Sequence, residues 1–333
     1  MIMFDHLRPP APGDPSAPAY KEWLHVNLLD HNSGAVGLVN VSLHGPPGDS
    51  AARAVGAALV QLPGAGWAGN LDVRALGDAR ISNESISLDR VAVGIDPRSG
   101  TVNASARLPD HDLRVAVTAA VSGAALIVDG PMFMGQSWIG WIAWPRLAIS
   151  GELRVGEIVL PLDNASAYAD HNWGRWYWGQ DIGWEWGTFL CPDSGPTVVM
   201  SRMTDRAHRS AGEPLIELRA AGGRRRFTGS AVSIGWSGVL DALPRRLPGA
   251  MAALHTDRAA PRLPAMLKAQ ADDGIDKVEI TFTARAAAQL ILADPVHHGY
   301  SFLHELVGSF TCRGRLQGRP VEGSGLAVVE RAE

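Results

Sequence analysis

Apolar and polar residues alternate with a period of two along most of this chain, and short turn sequences break the alternation repeatedly. The stretch from Leu113 to Val121 is one example, and Pro-Arg-Ser-Gly at 97–100 is one of the breaks. Because successive side chains of a strand point to opposite faces, this pattern predicts half-buried β-strands. Helical periodicity is scarce, so the sequence predicts an all-β chain of many short antiparallel strands.

The length of the chain indicates more than one domain. A chain of 333 residues exceeds a typical single domain and fits two β domains of moderate size. We predict an extended, proline-rich N-terminal arm over 1–20 and a β-barrel or β-sandwich domain over 21–155. A second β domain is predicted over 156–333.

One segment of the second domain, 240–271, departs from the strand pattern. Prolines bracket two short helical patterns within it, Leu247–His255 and Ala265–Gln270. We therefore predict a short helical insertion in this segment. Structured connections of this length in β domains are often functional, so the insertion is interpreted either as a lid or as an appendage that closes one end of a barrel.

The charge balance excludes one class of partner. Lys and Arg number 30 against 34 Asp and Glu, which gives a formal net charge of -4. The densest basic cluster, Arg224–Arg226, follows two glycines and is typical of a solvated hairpin turn. Because no basic surface capable of neutralising a phosphate backbone is indicated, we predict that the protein does not bind nucleic acid.

Neither a membrane span nor a secretory signal is predicted. The apolar run between Arg114 and Asp129 is shorter than the roughly 20 residues that cross a bilayer. Cys191 and Cys312 are far apart in the sequence, without the spacing of a disulfide framework or a zinc site. We expect a cytoplasmic protein. Peripheral contact with a membrane to collect an apolar substrate, and the oligomeric state, stay open.

Tryptophan is concentrated in one part of the chain. Eight of the 11 Trp residues fall between Trp138 and Trp186. This density is compatible with a thick aromatic core between two sheets. It is also typical of an aromatic-walled cavity in which a few polar groups converge on an apolar ligand.

Polar residues within this region favour the cavity. On a strand, residues two apart share a face, so His171 and Trp173 are expected to point together, away from Asp170 and Asn172. An imidazole would then lie beside an aromatic surface. A histidine in a β core is more often structural, but the neighbouring Asp170 and the aromatic residues make His171 a candidate for acid–base chemistry.

The segment Tyr-Ala-Asp-His-Asn-Trp-Gly at 168–174, followed by Trp-Glu-Trp-Gly at 184–187, resembles the signature of the carotenoid hydratases and their relatives. These form a two-domain lipocalin-like superfamily that includes hydroxyneurosporene synthase and fungal lipocalin-like Diels–Alderases. Weaker similarities lie at 22–25, 144–151 and 323–330. The resemblance thus spans most of the chain and implies two lipocalin-like antiparallel β domains.

The resemblance implies an enzyme that uses no cofactor and acts on carbon–carbon double bonds of a polyene or isoprenoid-type substrate. For a hydratase, an acid protonates the alkene, tryptophan faces stabilise the carbocation, and water activated by an imidazole captures it. His171 and Trp173 are carried over directly from the motif. The residues predicted to bind substrate are Tyr168, Trp173, Trp176, Trp178, Trp184 and Trp186.

The proton donor does not follow from the resemblance. The hydratases carry a Tyr-x-Asp pair about 25 residues beyond the motif, whereas this chain has no tyrosine at 198–205. The carboxylates considered as acids are Asp170, Asp181, Glu185 and Asp205. Since a pericyclic cyclase needs shape more than an acid, a cyclase or isomerase of the Diels–Alderase type is the alternative. A lipocalin-like binding protein is the third hypothesis.

No metal or nucleotide cofactor is predicted. His297, His298, His304 and Glu305 form the only other cluster of residues that could bind a metal, but their spacing is not that of a zinc motif. Glycine-rich loops of the phosphate-binding kinds are absent from the sequence. The predicted partner is therefore an apolar small molecule alone.

Overall fold

The computed structural model describes residues 6–11, 13–14, 16–128, 130–248, 262–294 and 299–333. Strands dominate these residues, and the helical segments among them are single 3-10 turns. The strands form two curled antiparallel sheets, one of them close to a closed barrel. The predicted all-β fold class is therefore confirmed.

The chain divides into two compact units. Unit 1 comprises Met1–Trp178 with Asp294–Gly299, and unit 2 comprises Gly179–Ala293 with Tyr300–Glu333. This division differs from the boundary predicted at 155/156. The strand that carries the tryptophan-rich motif, Ser166–Arg175, pairs with strands near 20–29 and 137–155, so it belongs to the sheet of unit 1.

Unit 1 contains fourteen strands in its described residues. They are β1 (Tyr20–Leu29), β2 (Val36–His44), β3 (Arg53–Leu62), β4 (Gly66–Ala75), β5 (Arg80–Ile81), β6 (Ser85–Ser87), β7 (Val91–Asp96), β8 (Thr101–Leu108), β9 (Leu113–Val121), β10 (Leu126–Ile127), β11 (Met132–Met134), β12 (Ser137–Val155), β13 (Ile158–Pro161) and β14 (Ser166–Arg175). Its 3-10 turns are Ala17–Ala19, Leu76–Asp78 and Pro109–His111.

The sheet of unit 1 runs in the order β4-β3-β2-β1-β14-β12-β9-β8-β7-β6-β5. The first strand therefore lies between β2 and the last strand, β14. Leu24 of β1 is paired with His171 of β14, and Ile142 of β12 is paired with the same histidine from the other side. Cross-strand partners share a face. Leu24 and Ile142 belong to the apolar core of unit 1, so this face of the three strands is the inner one.

Unit 2 contains ten strands in its described residues. They are β15 (Gly183–Leu190), β16 (Thr197–Thr204), β17 (Leu215–Ala220), β18 (Gly223–Thr228), β19 (Val232–Ser237), β20 (Arg245–Leu247), β21 (Met266–Asp272), β22 (Lys277–Asp294), β23 (Gly299–Leu316) and β24 (Arg319–Ala332). A 3-10 turn spans Gly229–Ala231. The sheet order is β18-β17-β16-β15-β24-β23-β22-β21-β19, with β20 pairing in parallel with β22.

The predicted helix Ala265–Gln270 is wrong, because Met266–Asp272 is a strand between β19 and β22. Leu267, Ala269 and Ala271 alternate into the core of unit 2. Alanine, methionine and lysine favour helices locally, but the burial of every second side chain and the pairing on both sides outweigh that preference. Of the other predicted helix, Leu247 ends strand β20, and 249–261 lies outside the described residues.

The N-terminal arm is not extended throughout, since Ala17–Ala19 forms a 3-10 turn directly before β1. Leu7 is buried in the core of unit 1. Cys191 and Cys312 are both buried and free, and they are neighbours in unit 2 despite their distance in sequence. In the part of the chain that is described, no helix has the length and apolar character to cross a membrane.

Candidate functional site

Strand β14 divides the tryptophan-rich motif between the two faces of the unit 1 sheet. His171 and Trp173 lie on the inner face, with ring centroids 5.0 Å apart. Tyr168, Asp170 and Asn172 lie on the opposite face, called the outer face below. The period-two alternation predicted this division, and the structure confirms it. His171 and Asp170 therefore cannot act together on one reacting group.

His171 belongs to a polar cluster inside unit 1. Its Nε2 lies 2.9 Å from Oε1 of Glu22, and both side chains are 0% exposed. The backbone N–H of Arg8 donates to the same Glu22 oxygen at 2.6 Å. The Arg8 guanidinium lies 3.9 Å from the centroid of the Trp173 ring. These contacts orient the imidazole, and a direct role for His171 in catalysis stays a prediction.

Two glycines allow this packing. Gly140 of β12 is paired with Trp173, and a Cβ at Gly140 would lie 2.4 Å from the indole. A Cβ at Gly174 would lie 2.2 Å from the carbonyl oxygen of Trp138. Both distances are far below van der Waals contact. The glycine of the motif is therefore required by the close approach of β12 and β14.

The outer face carries a buried hydrogen-bond network centred on Asp170. The hydroxyl of Tyr168 donates to Oδ2 of Asp170 at 2.7 Å, and the amide of Asn172 donates to Oδ1 at 2.7 Å. The indole N–H of Trp141 lies 3.3 Å from both the Tyr168 oxygen and Oδ2 of Asp170. Asp170 is 5% exposed. A buried carboxyl with three donors is thus held in one fixed orientation.

His25 lies directly opposite Asp170 on strand β1, on the same outer face. Its Nδ1 lies 3.4 Å from the amide nitrogen of Asn40 on β2. Burial lowers the pKa of His25 to about 4. His25 is therefore a neutral imidazole at physiological pH, able to accept a proton.

A second histidine of the outer face is fully engaged. The indole N–H of Trp178 donates to Nδ1 of His44 at 3.3 Å, and Nε2 of His44 lies 3.0 Å from the hydroxyl of Ser42. Burial, together with the charge of Lys21, lowers the pKa of His44 to about 3. This imidazole is neutral and anchors Trp178.

Aromatic rings border this network. Trp23 contacts Trp176 edge to face with centroids 5.7 Å apart, and Trp176 contacts Trp178 in the same way at 5.7 Å. Trp23 is on the outer face because it alternates with Glu22 and Leu24 along β1. Three of the predicted substrate-binding residues, Tyr168, Trp176 and Trp178, thus lie beside Asp170 or along the same aromatic surface.

Other predicted residues lie in unit 2. Glu185 is 0% exposed and contacts Arg202 at 2.8 Å and Nδ1 of His208 at 3.0 Å. Burial raises the pKa of Glu185, but the hydrogen bond from His208 and the charge of Arg202 oppose burial, and the pKa is lowered. This environment favours an ionised, structural carboxylate over a proton donor.

Asp205 and Asp181 hold turns. Asp205 accepts the backbone N–H groups of Arg209 at 2.8 Å and Ser210 at 3.1 Å, and these bonds lower its pKa. Asp181 accepts the backbone N–H of Arg206 at 3.0 Å. The environment of Asp205 therefore favours the charged form of its carboxyl group.

Trp184 and Trp186 lie beside two facing carboxyl groups, Glu305 and Glu330, whose pairing was not predicted from the sequence. Trp184 donates its indole N–H to Oε1 of Glu330, and Glu330 is paired with Trp186 on one side and Glu305 on the other. Burial raises the pKa of Glu330, against opposing hydrogen bonds from Trp184 and Glu305. The net effect is that the pKa of Glu330 lies above the ordinary glutamate value.

The outer-face residues that the sequence analysis did not list as site residues include His25, Trp141 and Asn172. The alternation of β1 could have identified His25, but only the pairing of β1 with β14 shows that it faces Asp170. His297 and His298 lie outside the described residues. Within the described ranges, no group of three or more His, Cys, Asp or Glu side chains could hold a metal ion.

Several solved structures share this fold. An AttH-like protein from Nitrosomonas europaea is 17% identical over 98% of this chain and 99% of its own, with a TM-score of 0.70. Kievitone hydratase from Nectria haematococca is 12% identical over 95% of this chain and 90% of its own, with a TM-score of 0.63. CghA, solved with Sch210972, is 12% identical over 95% of this chain and 89% of its own, with a TM-score of 0.61.

At these identities the similarity shows the fold alone. The two-sheet, lipocalin-like architecture that the sequence resemblance implied is confirmed. No protein-family model matches the chain, and no curated protein matches its sequence.

Proposed function

We propose that this protein is a cofactor-free enzyme that acts on a carbon–carbon double bond of an apolar, polyene-type substrate, and that the reaction is a hydration. The observation that carries the proposal is the buried Tyr168–Asp170–Asn172 network on the outer face of unit 1, bordered by tryptophan rings. An apolar surface with a few fixed polar groups is the usual composition of a small-molecule site.

The chemistry follows from the positions of the groups. The Tyr168–Asp170 pair supplies a proton to one alkene carbon, and the resulting cation lies against the tryptophan faces. Water adds to the cationic carbon, and the neutral imidazole of His25 accepts the proton that this water loses. Return of that proton to the Tyr168–Asp170 pair completes the cycle. His171, on the inner face, positions β14 through its contacts with Glu22 and Trp173.

The similarity to kievitone hydratase supports an enzyme of this type, because that protein shares the fold across nearly the whole chain. The fold is compatible with other chemistry on the same scaffold, since one fold commonly hosts several activities. The residues of the outer face, rather than the fold, therefore carry the assignment.

One observation favours a second candidate, a cyclase. Asp170 accepts three hydrogen bonds, which stabilise a charged carboxylate, and a charged carboxylate has no proton to give. A pericyclic cyclisation needs no proton transfer, and CghA, a lipocalin-like Diels–Alderase, shares the fold. In that case the network would orient a polar group of the substrate.

Incubation with a panel of polyenes in heavy-oxygen water, followed by mass spectrometry, tests the proposal. A product heavier by one labelled water supports hydration, and its loss in Asp170→Asn and His25→Phe variants of unchanged melting temperature assigns it to the outer face. A product of unchanged mass and altered structure would replace hydration with cyclisation. Tight binding of a ligand that returns unaltered would show a binding protein. Treatment with a chelator should leave the activity intact.

A further inference from the structure

Lys21 is a buried cation at one end of the outer face. It alternates with Glu22 along β1, so its side chain shares the outer face with Trp23 and His25. Only 2% of the residue is exposed. Its ammonium group donates to the backbone carbonyl of Trp176 at 3.1 Å. Lysine is rarely buried to this extent, so the position calls for a physical explanation.

The ammonium group has more donors than partners. A lysine ammonium carries three N–H donors, and among the described residues the carbonyl of Trp176 is the hydrogen-bond acceptor that Lys21 contacts. Burial lowers the pKa of Lys21 to about 8, and the charge of Asp294 opposes this shift. The side chain is therefore still protonated at neutral pH, with donors available for a ligand.

His44 and Tyr177 do not compete for these donors, and Asp294, the negative charge near Lys21, accepts no hydrogen bond from it among the described residues. His44, its partner on β2, is neutral and uses both ring nitrogens for Trp178 and Ser42. The Tyr177 ring centroid lies 5.8 Å from the ammonium nitrogen and presents its face rather than an acceptor atom. The surroundings are thus mainly aromatic, and an ionic bond is stronger in such a medium than in water.

We propose that Lys21 binds a carboxylate at the polar end of the substrate. Two N–H donors match the two oxygens of one carboxylate, and the negative charge compensates a cation that burial otherwise penalises. The inference rests on the proposed function of the outer face and narrows its substrate class to apolar polyenes with an acidic head group. Lys21 acts as a specificity residue, and the reacting groups are elsewhere.

The geometry of β1 also sets the distance between the head group of the substrate and its reacting double bond. Lys21 and His25 are four residues apart on one strand, which separates their Cα atoms by about 13 Å. His25 is opposite Asp170, where the chemistry is proposed. A carboxylate bound at Lys21 would therefore place a carbon chain along Trp23 and direct a double bond several carbons from the head group toward Asp170.

A matched pair of probes tests this inference. All-trans-retinoic acid and its methyl ester have the same polyene and differ only in the charge of the head group. Binding is measured by quenching of tryptophan fluorescence. The protein should bind the acid about 10- to 100-fold more tightly than the ester, because a hydrogen-bonded ion pair contributes that much in a buried site. Lys21→Met should abolish the preference and leave ester binding unchanged.

Two further variants complete the design. Lys21→Arg keeps the charge and should retain part of the preference, whereas Lys268→Met removes an exposed lysine of unit 2 and should have no effect.

The preference for the acid should also decline as the pH rises above the pKa of Lys21, because the ammonium group is then neutral. The titratable groups that face Lys21 are His44 from β2, Asp294 from β22 and Tyr177. Of these, His44 stays neutral over that range because its pKa is about 3.

Equal affinity for acid and ester in the unaltered protein, or an undiminished preference in a folded Lys21→Met variant, would overturn the inference. Replacing a buried cation by methionine should not reduce the melting temperature, which separates misfolding from loss of binding. Failure here is distinct from failure of the proposed function. Labelled water could enter a product of a neutral polyene while no acid preference exists, or the acid could bind at Lys21 and return unaltered.

Discussion

The two units share the order of their first four strands and their last strand, but these strands carry different chemistry. In each unit the first strand lies between the second and the last. The first four strands form a meander whose fourth strand, β4 or β18, is an edge strand of the sheet. Glu22-Trp23 on β1 corresponds to Glu185-Trp186 on β15, because Trp23 is paired with Ser42 and Trp186 with Ser201. The same scaffold thus directs a glutamate inward and a tryptophan outward in both units.

The last strands show where the units diverge. In unit 1, the residue opposite Trp23 is Asn172, which donates to Asp170. In unit 2, the residue opposite Trp186 is Glu330, which faces a second carboxyl, Glu305. One unit surrounds a single carboxyl with three donors, whereas the other places two carboxyls together. A carboxyl with donors favours the charged form, and a carboxyl beside another favours retention of a proton.

The largest effect is expected on turnover, from a change at Asp170 of unit 1. Asp170→Asn preserves the shape of the side chain but removes the ionisable group of the Tyr168–Asp170 pair that is proposed to supply the proton. With a substrate identified in the labelled-water experiment, turnover should fall about 100- to 10,000-fold, the usual contribution of a positioned acid or base. Glu330→Gln, the same carboxyl-to-amide change in unit 2, should alter turnover little. The opposite result would transfer the proton donor to the carboxyl pair of unit 2.

The next largest effect is expected on stability rather than turnover, from a change at the inner-face glutamate of unit 2, Glu185. Glu185→Ala leaves the partly buried charge of Arg202 without its carboxylate, and the loss of one partner of a buried pair costs about 3–5 kcal/mol. Denaturant titration of the variant and the unaltered protein measures this cost. Lys268→Ala, at an exposed position of the same unit, is the control. A change below about 1 kcal/mol would show that the ion pair contributes no more than an exposed one.

The pH dependence of this contribution has a definite sign. The folded-state pKa of Glu185 is lowered, so its stabilising effect is complete above the ordinary glutamate pKa. It is lost as the pH falls through the lowered folded-state value. Acid should therefore destabilise the unaltered protein more than Glu185→Gln.

Features of the site that depend on neighbouring residues in the sequence could be predicted, whereas features that depend on contacts between distant strands could not. The alternation of His171 with Asp170 is local, and it correctly placed the two residues on opposite faces. That His25 faces Asp170, or that Glu330 faces Glu305, depends on the register of strands distant in sequence, which no local pattern encodes. The helix predicted at 265–270 failed for the same reason, since strand pairing on both sides outweighed local propensity.

A smaller effect on stability is expected at Gly140, whose lack of a side chain leaves room for Trp173 on the inner face of unit 1. Gly140→Ala places a methyl group against the Trp173 indole, and overpacking of this kind costs about 1–3 kcal/mol. Gly235→Ala in unit 2 is the matched control, because no atom lies within 4 Å of a Cβ there. Urea unfolding curves compare the two variants. Equal midpoints would show that Trp173 moves freely, and the contact between Trp173 and His171 would then be too loose to orient the histidine.

The smallest effect concerns a contact of unit 1 made by the N-terminal arm. The guanidinium of Arg8 lies over Trp173, while the backbone N–H of the same residue holds Glu22. Arg8→Ala removes the first contact and keeps the second, so a cost of about 0.5–1 kcal/mol is expected. Arg8→Pro removes the N–H as well and should cost more, because Glu22 then loses a charge-assisted hydrogen bond. If both variants unfold at the same denaturant concentration, the arm does not hold Glu22. The His171–Glu22 pair would then be oriented by β1 and β14 alone, just as Glu185 is held by residues of its own unit.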